Sequence, residues 1–339
     1  MQINATICRH FSILHSLNDQ FLVQPAGSKE SHRVTDILSK NIDIAQTKIR
    51  DSIPLHRVGM SQIECPVNIQ IDGDVFKTPA KVDAYVSLDE PQKGIHMSRL
   101  FLEIERQFEA SALSTDLLIN VAKGFLNSHK GISKSAYIKV SFEYMLKRKA
   151  LLSNHSGWRT YPVSLWCSLG NDTKVGADVT IEYSSTCPCS AALSRQLIQM
   201  QFDREYEGKQ TLESRNVRNW LGTEEAIAGT PHGQRSLGII KTELNSTQID
   251  LKFLTQMIDT LETAVATPVQ AAVKREDEQE FARLNAANLM FAEDACRSMH
   301  NSLVKLNQFR GVITEARHLE SLHAHDAVAI ASSGSLEIV

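Results

Sequence analysis

The chain has no apolar run approaching the roughly 18 residues that a membrane span needs, so no transmembrane helix is expected. It has no G-x-G-x-x-G and no Walker pattern, which leaves a dinucleotide fold and a P-loop both unsupported. Cysteine is scarce. The six thiols (Cys8, Cys65, Cys167, Cys187, Cys189 and Cys296) among 339 residues are too scattered for a disulfide scaffold, which points to a reducing, cytoplasmic setting. No long basic run occurs and the formal charge is −3, so nothing in the charge pattern calls for nucleic acid. No small-residue cleavage site follows a clean apolar core near the start, which argues against a secretory signal. What remains is 42% hydrophobic and 22% charged, the composition of a soluble globular protein with ample core for one large domain or two small ones.

Residues 1–45 read as a poorly organised extension, and 46–339 as the folded part. Val67, Ile69 and Ile71 alternate with polar neighbours, Gly73 turns the chain, and Val82, Ala84 and Val86 alternate again, as a half-buried antiparallel pair does. Helical periodicity follows from Ser98 to about His129 in two pieces, then strands around Ile138–Tyr144, Val163–Leu169 and Val175–Tyr183. A helix from Ala191 to about Phe202 precedes a polar insertion over about 203–230. Then come a strand at Ser236–Leu244, a helix over Ile249–Ala266, one long helix over about Glu280–Leu306, and strands at Val312–Arg317 and Ala327–Ile330. Strand pair, helix pair, strand pair, taken twice, predicts an α+β protein of two similar modules.

Five patches carry chemistry-bearing residues. Cys187-Pro188-Cys189 closes a predicted strand; two thiols so close in a turn do not make an unstrained disulfide with each other, so they read as a thiolate ligand or nucleophile and a neighbour, or as plain reduced cysteines. Gln92–Arg99 is a glycine loop opening a helix, where backbone N–H groups with Lys93 and Arg99 suit a phosphate, or simply form a solvated loop with Ser98 as N-cap. His232 stands in Pro-His-Gly-Gln-Arg ahead of a strand. Arg275-Glu276-Asp277-Glu278 starts a helix, where acids suit the dipole; within the long helix, Glu293 falls away from the apolar side and is expected to be exposed. His323 and His325, two residues apart on a presumed strand, would share one face, as a metal pair or as proton carriers near neutral pH.

Taken together and in this order, Lys93-Gly94-Ile95-His96-Met97-Ser98-Arg99, Cys187-Pro188-Cys189-Ser190, His232-Gly233-Gln234-Arg235, Phe291-Ala292-Glu293-Asp294 and Glu320-Ser321-Leu322-His323-Ala324-His325 resemble the type IB family of GTP cyclohydrolase I, over about Arg57–Ile330. The resemblance implies a tunnelling fold of two ββααββ-like modules, its barrel completed by oligomerisation, as a homotetramer with active sites at subunit interfaces. It implies hydrolysis of GTP at C8 of guanine to 7,8-dihydroneopterin triphosphate and formate, the first step of tetrahydrofolate biosynthesis. It assigns Cys187, His232 and Glu278 to a divalent metal (zinc, manganese or iron), Glu293 to the guanine edge, His323 to acid/base work with His325 and Cys189 nearby, and Lys93, His96, Arg99 and Arg235 to the triphosphate. In many relatives a short loop joins the cysteine pair to the histidine, whereas residues 188–231 intervene here. Glu276, Asp277 and Glu280 crowd the third ligand position. Two rival readings are a nitrile reductase of the same fold, with NADPH and a covalent cysteine, and a non-enzymatic pterin-binding protein.

Overall fold

Long alternating runs build long strands, and every strand pairs with the next one in the chain. The computed structural model describes residues 43–50, 52–71, 73–248 and 250–338, so the extension expected over 1–45 lies almost wholly outside it. The strands β1 (Leu55–Ile71), β2 (Asp74–Leu88), β3 (Ala136–Lys149), β4 (Ser156–Leu169), β5 (Thr173–Thr186), β6 (Gly233–Leu244), β7 (Phe309–His318) and β8 (Ala327–Gly334) form one eight-stranded antiparallel sheet in the order β1 to β8. Helices α1 (Met97–Ala110) and α2 (Thr115–Ser128) lie between β2 and β3; α3 (Pro188–Glu205) and α4 (Ser214–Leu221) between β5 and β6; α5 (Lys252–Val265), α6 (Arg275–Ala287) and α7 (Ala292–Val304) between β6 and β7. The α+β expectation holds, and the first module follows the strand-pair, helix-pair, strand-pair plan; the second has three helices between its strand pairs and two more between β5 and β6.

The sheet buries one face beneath the helices. Leu100, Ile104 and Phe108 form the inner stripe of α1, at the four-residue spacing that keeps one helix face inward. Helix α5 brings Leu254, Met257, Ile258 and Leu261, and α7 brings Ala295, Cys296, Met299 and Leu303. Full burial of each large aliphatic contributes about 1.5–3 kcal/mol, and the buried residues of both modules form one continuous cluster. Helix α7 seats closely because Gly238 on β6 has no side chain: a Cβ there would stand 2.6 Å from Met299 Sδ and 2.9 Å from Ile181 Cγ1.

The opposite face carries polar and aromatic side chains. Tyr85, Tyr137 and Trp166 form a ladder with ring centroids 6.3 and 6.5 Å apart, Arg57 covers Tyr137 at 3.8 Å, and Lys139 pairs with Asp178 at 2.6 Å. An open groove of about 1150 Å³ runs across this face past Lys81, Ser164 and Lys241. Among the described residues, β1 and β8 each have a strand on one side only, and β8 leaves Val328 and Ile330 exposed.

Register defines two ends of the sheet. Leu88, Ala136, Leu169 and Thr173 lie at one, and Thr186, Gly233, His318 and Ala327 at the other. The 14 residues of β5 separate these ends by about 45 Å.

Three local expectations change. The long helix over Glu280–Leu306 is two helices, because the Met290 N–H is spent on Thr186 O at 3.3 Å and the Phe291 N–H on the Asp294 carboxylate at 3.0 Å, which starts a new helix with its own cap. The insertion is not without order. Helix α3 runs on to Glu205, α4 follows, and Phe202, Tyr206 and Trp220 pack together with centroids 4.9 to 5.8 Å apart. Helix α1 begins at Met97 with His96, not Ser98, as its N-cap.

Candidate active site

The β5–β6 ladder runs to Thr186 opposite Gly233, and the chain leaves it at Cys187 and returns at His232. Cys187 donates its N–H to His232 O at 3.3 Å, and the Ser190 hydroxyl accepts the His232 N–H at 3.1 Å. Cys187 has extended backbone and is the N-cap of α3, with Pro188 at the first helical position, where a missing N–H costs nothing. Cys187 and His232 are half-buried, and Cys189 is exposed in the first turn of α3. The five described cysteines are all free thiols.

The end of β7 completes this cluster. Beyond His318, Leu319 donates to Arg235 O at 3.2 Å, and Glu320 turns inward toward His232 with Oε2 3.8 Å from Nδ1. That Glu320 oxygen is buried without a hydrogen-bond partner. Sequence reading did not single out Glu320; its signal was its place in the same run as His323 and His325. Those two histidines lie in the loop between β7 and β8, not on a strand as expected, and both are exposed. Their rings stack at 5.0 Å and 7°, so they share one side by contact instead of by strand alternation. Ser321 ties the loop back to Gly233 O at 3.5 Å.

Below the rim, Tyr183 and His318 flank Ser236 across the β5, β6 and β7 ladders. The His318 Nε2 and Tyr183 hydroxyl are 3.0 Å apart, with the two rings edge to face. Burial holds His318 below the ordinary imidazole value, against an opposing pull from Glu320 and Glu293. Glu293 stands in the first turn of α7, exposed as expected but near the rim, because the Met290–Thr186 bond fixes the start of that helix beside Cys187.

The carboxylates at the start of α6 divide by use. Asp277 is fully buried and accepts from Leu152 N, Ser153 N, Ser153 Oγ and Lys274 N at 2.6 to 2.9 Å, which ties α6 to the β3–β4 hairpin. The Ser153 bond above all holds its carboxyl well below the usual range. Glu280 is taken by Arg283 at 2.6 Å, while Glu276 and Glu278 are exposed. Seven residues of helix, about 10 Å, separate Glu278 from Asn285, which meets Ser184 on β5 at 2.7 Å. Among the described residues no three His, Cys, Asp or Glu side chains stand together as a metal cage.

Arg235 is exposed at the rim, 3.8 Å from Glu182. Lys93, His96 and Arg99 are elsewhere. They follow β2 at the Leu88 end, where the N–H groups of Lys93 and Gly94 go to Thr47 O and Ala45 O and Arg99 reaches Ser128 O at 2.7 Å. Those two loop N–H groups are therefore not open to a phosphate. The structure places Cys187, Cys189, His232, Arg235, Glu293, His323 and His325 at one end of the sheet without gathering them into a cage, leaves Glu278 apart on α6, and sets the other three basic residues at the opposite end.

A family model described as type I GTP cyclohydrolase folE2 matches residues 42–329. The GTP cyclohydrolase FolE2 of Hydrogenovibrio crunogenus is 46% identical over 278 residues, covering 81% of this chain and 88% of that one. That of Pseudoalteromonas translucida is 46% identical over 284 residues, 82% and 92%, and that of Pseudomonas putida 45% over 289 residues, 85% and 94%. Among solved structures, a uricase from Arthrobacter globiformis aligns over 84% of this chain and 95% of its own at 8% identity and TM-score 0.47, too distant to bear on chemistry.

Proposed function

Because the chain belongs to the type I GTP cyclohydrolase folE2 family, we propose that its catalytic centre is the Cys187–His232 rim of the sheet, completed by a second copy of the chain. The protein is an enzyme, a GTP cyclohydrolase I of folate biosynthesis; the reaction opens the imidazole ring of GTP at C8 and yields 7,8-dihydroneopterin triphosphate and formate. The observation that carries the composite site is the separation of its parts. Lys93, His96 and Arg99 are about 45 Å of strand away from Cys187, too far to hold the triphosphate of a nucleotide whose base lies at Glu293 of the same chain. The single-sided strands β1 and β8, with Val328 and Ile330 uncovered, supply edges through which copies pair, since an open antiparallel edge is a template for another strand. A closed homotetramer is the assembly we assign, with the polar sheet face and its groove turned to the interior.

Within that site the residues divide the work. Glu293 accepts two N–H groups of the guanine edge as a charged acceptor. His323 delivers the proton to the opening ring, since an imidazole titrates nearest neutral pH, and His325 stacks on it to hold its plane. Arg235 and the partner copy's basic loop neutralise the triphosphate. The donor types suit a divalent cation (zinc, manganese or iron): the thiol of Cys187 and the imidazole of His232 stand on two chain segments joined by a backbone hydrogen bond, and the unpartnered Glu320 oxygen lies 3.8 Å from that imidazole. Cys187 and His232 would hold it, with Glu278, which stands apart within one chain, as the third donor. When bound, such a cation makes water a competent nucleophile near pH 7. A working thiolate needs reducing surroundings, which places the enzyme in the cytoplasm.

Co-assembly tests the composite site. Cys187→Ala and Arg99→Ala are each expected to be inactive alone, and to regain GTP turnover when the two are unfolded and refolded together. A mixture that stays inactive, from two variants that assemble normally, places both residues in one chain's site; an active Arg99→Ala removes the α1 loop from it.

A further inference from the structure

Gln234 is a buried amide with three polar neighbours, one of them backed by a fourth group. Its Nε2 lies 2.9 Å from Ser185 Oγ and 3.5 Å from Glu320 Oε1, its Oε1 lies 3.3 Å from His232 Nδ1, and Ser185 Oγ lies 2.7 Å from Ser236 Oγ. Both serines are fully buried and Gln234 is 9% exposed, so solvent does not reach the bond that anchors the amide to Ser185. The NH₂ end of the amide faces Ser185 and Glu320, where its two donors meet oxygen acceptors. Turned the other way, the amide would set its oxygen against a carboxylate oxygen. The orientation leaves the amide carbonyl facing His232, and a carbonyl only accepts. In the neutral ring the proton is therefore on Nδ1, and the lone pair on Nε2. The Glu320 oxygen at 3.8 Å from Nδ1 is too far to take that proton instead.

We propose that Gln234 is a positioning residue that fixes His232 as the Nδ1–H tautomer, with Nε2 presented to a divalent cation, and that the Ser185–Ser236 pair is the anchor that aims it. The inference rests on the reading of Cys187 and His232 as cation ligands. It differs from the usual outer partners of ligand histidines, a carboxylate or a backbone carbonyl, in that one side chain serves two site residues. Its oxygen sets His232 and its nitrogen restrains Glu320. An uncharged acceptor orients the ring without adding a negative charge beside Glu320.

The test uses the full chain stripped of metal, titrated with Zn²⁺ and with Mn²⁺ against a competing chelator. Gln234→Met keeps the volume and removes both ends of the amide; it is expected to weaken binding about 10–100-fold, the usual cost of losing such a partner. Ser185→Ala leaves the amide present but unanchored, and should shift binding the same way by less. The ¹⁵N imidazole resonances of the metal-free protein should show His232 with Nδ1 protonated in the native chain and in part redistributed to the Nε2–H form in both variants. Native affinity in Gln234→Met, with Cys187→Ala deficient, overturns the proposal and leaves the metal reading standing. Unchanged binding in Cys187→Ala removes the metal reading and the inference with it. If Gln234→Met fails to fold, the Ser185→Ala tautomer decides: an unshifted His232 signal shows the network to be only structural and overturns the proposal.

Discussion

The two modules share a plan and differ at its ends. In the first, β1 and β2 are joined by a tight turn at Gly73, whose φ of 95° only glycine adopts freely. In the second, the corresponding junction between β5 and β6 opens into residues 187–232, with Cys187 and His232 at its roots and α3 and α4 between. The contrast reverses at the other end. The β2–α1 connection and first turn of α1 carry Lys93, His96 and Arg99, while the β6–α5 connection, of similar length, holds no basic residue, and in it the Asp250 carboxylate accepts the Lys252 N–H at 3.0 Å. Strands and inner helix faces are bound by a common core and have little freedom; the connections have much. The residues to which we assign the triphosphate and the metal thus come from different modules, at opposite ends of one sheet.

The largest effect should come from the second module's junction. Cys187→Ala is expected to abolish turnover and strip most bound metal, while Cys189→Ala, exposed in the first turn of α3, keeps its metal; elemental analysis and GTP assays on both decide it, and equal metal in Cys187→Ala and the native chain would break the assignment of chemistry to that junction. Next, Glu293→Gln should retain metal and lose GTP affinity, whereas Glu278→Gln should weaken metal binding. The reverse pattern would exchange the two roles. His323→Ala should lower kcat with metal content and GTP affinity nearly unchanged.

Smaller effects probe the shared core. Leu100→Ala on α1 and Leu261→Ala on α5 remove fully buried side chains from the helices that follow the first strand pair of each module, and each should cost about 2–5 kcal/mol. Because the buried residues form one cluster, chemical denaturation should show one transition for both; a second transition in either variant would mean that the modules unfold separately. The smallest effect is acid sensitivity. Burial lowers the pKa of His129, His300 and His318, so these rings stay neutral in the fold while the unfolded chain binds protons as pH falls through about 6.5. Their stabilisation is complete above that pH and is lost as pH drops toward the folded values. His318→Phe should flatten the melting temperature between pH 7 and 5.5, and an unchanged slope would remove His318 from the effect.

Strands and paired helices were legible because side-chain periods of two and of about four are imposed by burial of one face, and Val82, Ala84 and Leu100 display them locally. The five motifs were legible as ordered residue runs. What no period reveals is which strand ends coincide. The distance of Lys93 from Cys187 follows from register, and the inward turn of Glu320 from a backbone bond at Leu319. The break between α6 and α7 also escaped reading, since Asn288-Leu289-Met290 contains neither proline nor glycine. It is a tertiary hydrogen bond to Thr186 that ends the helix there.

The bond from the Cys187 N–H to His232 O closes the α3–α4 arm at its base. In terms of chain entropy, the arm is a loop whose ends are already joined by the β5–β6 ladder, and doubling the length of such a loop costs only about 0.6 kcal/mol. Residues gained or lost near its tip, around Gly208, where the backbone is left-handed, leave the two roots where they are. The number of residues between Cys187 and His232 is therefore free to drift while the gap between them in space stays fixed, and sequence spacing at this junction measures the history of the arm, not the geometry of the site.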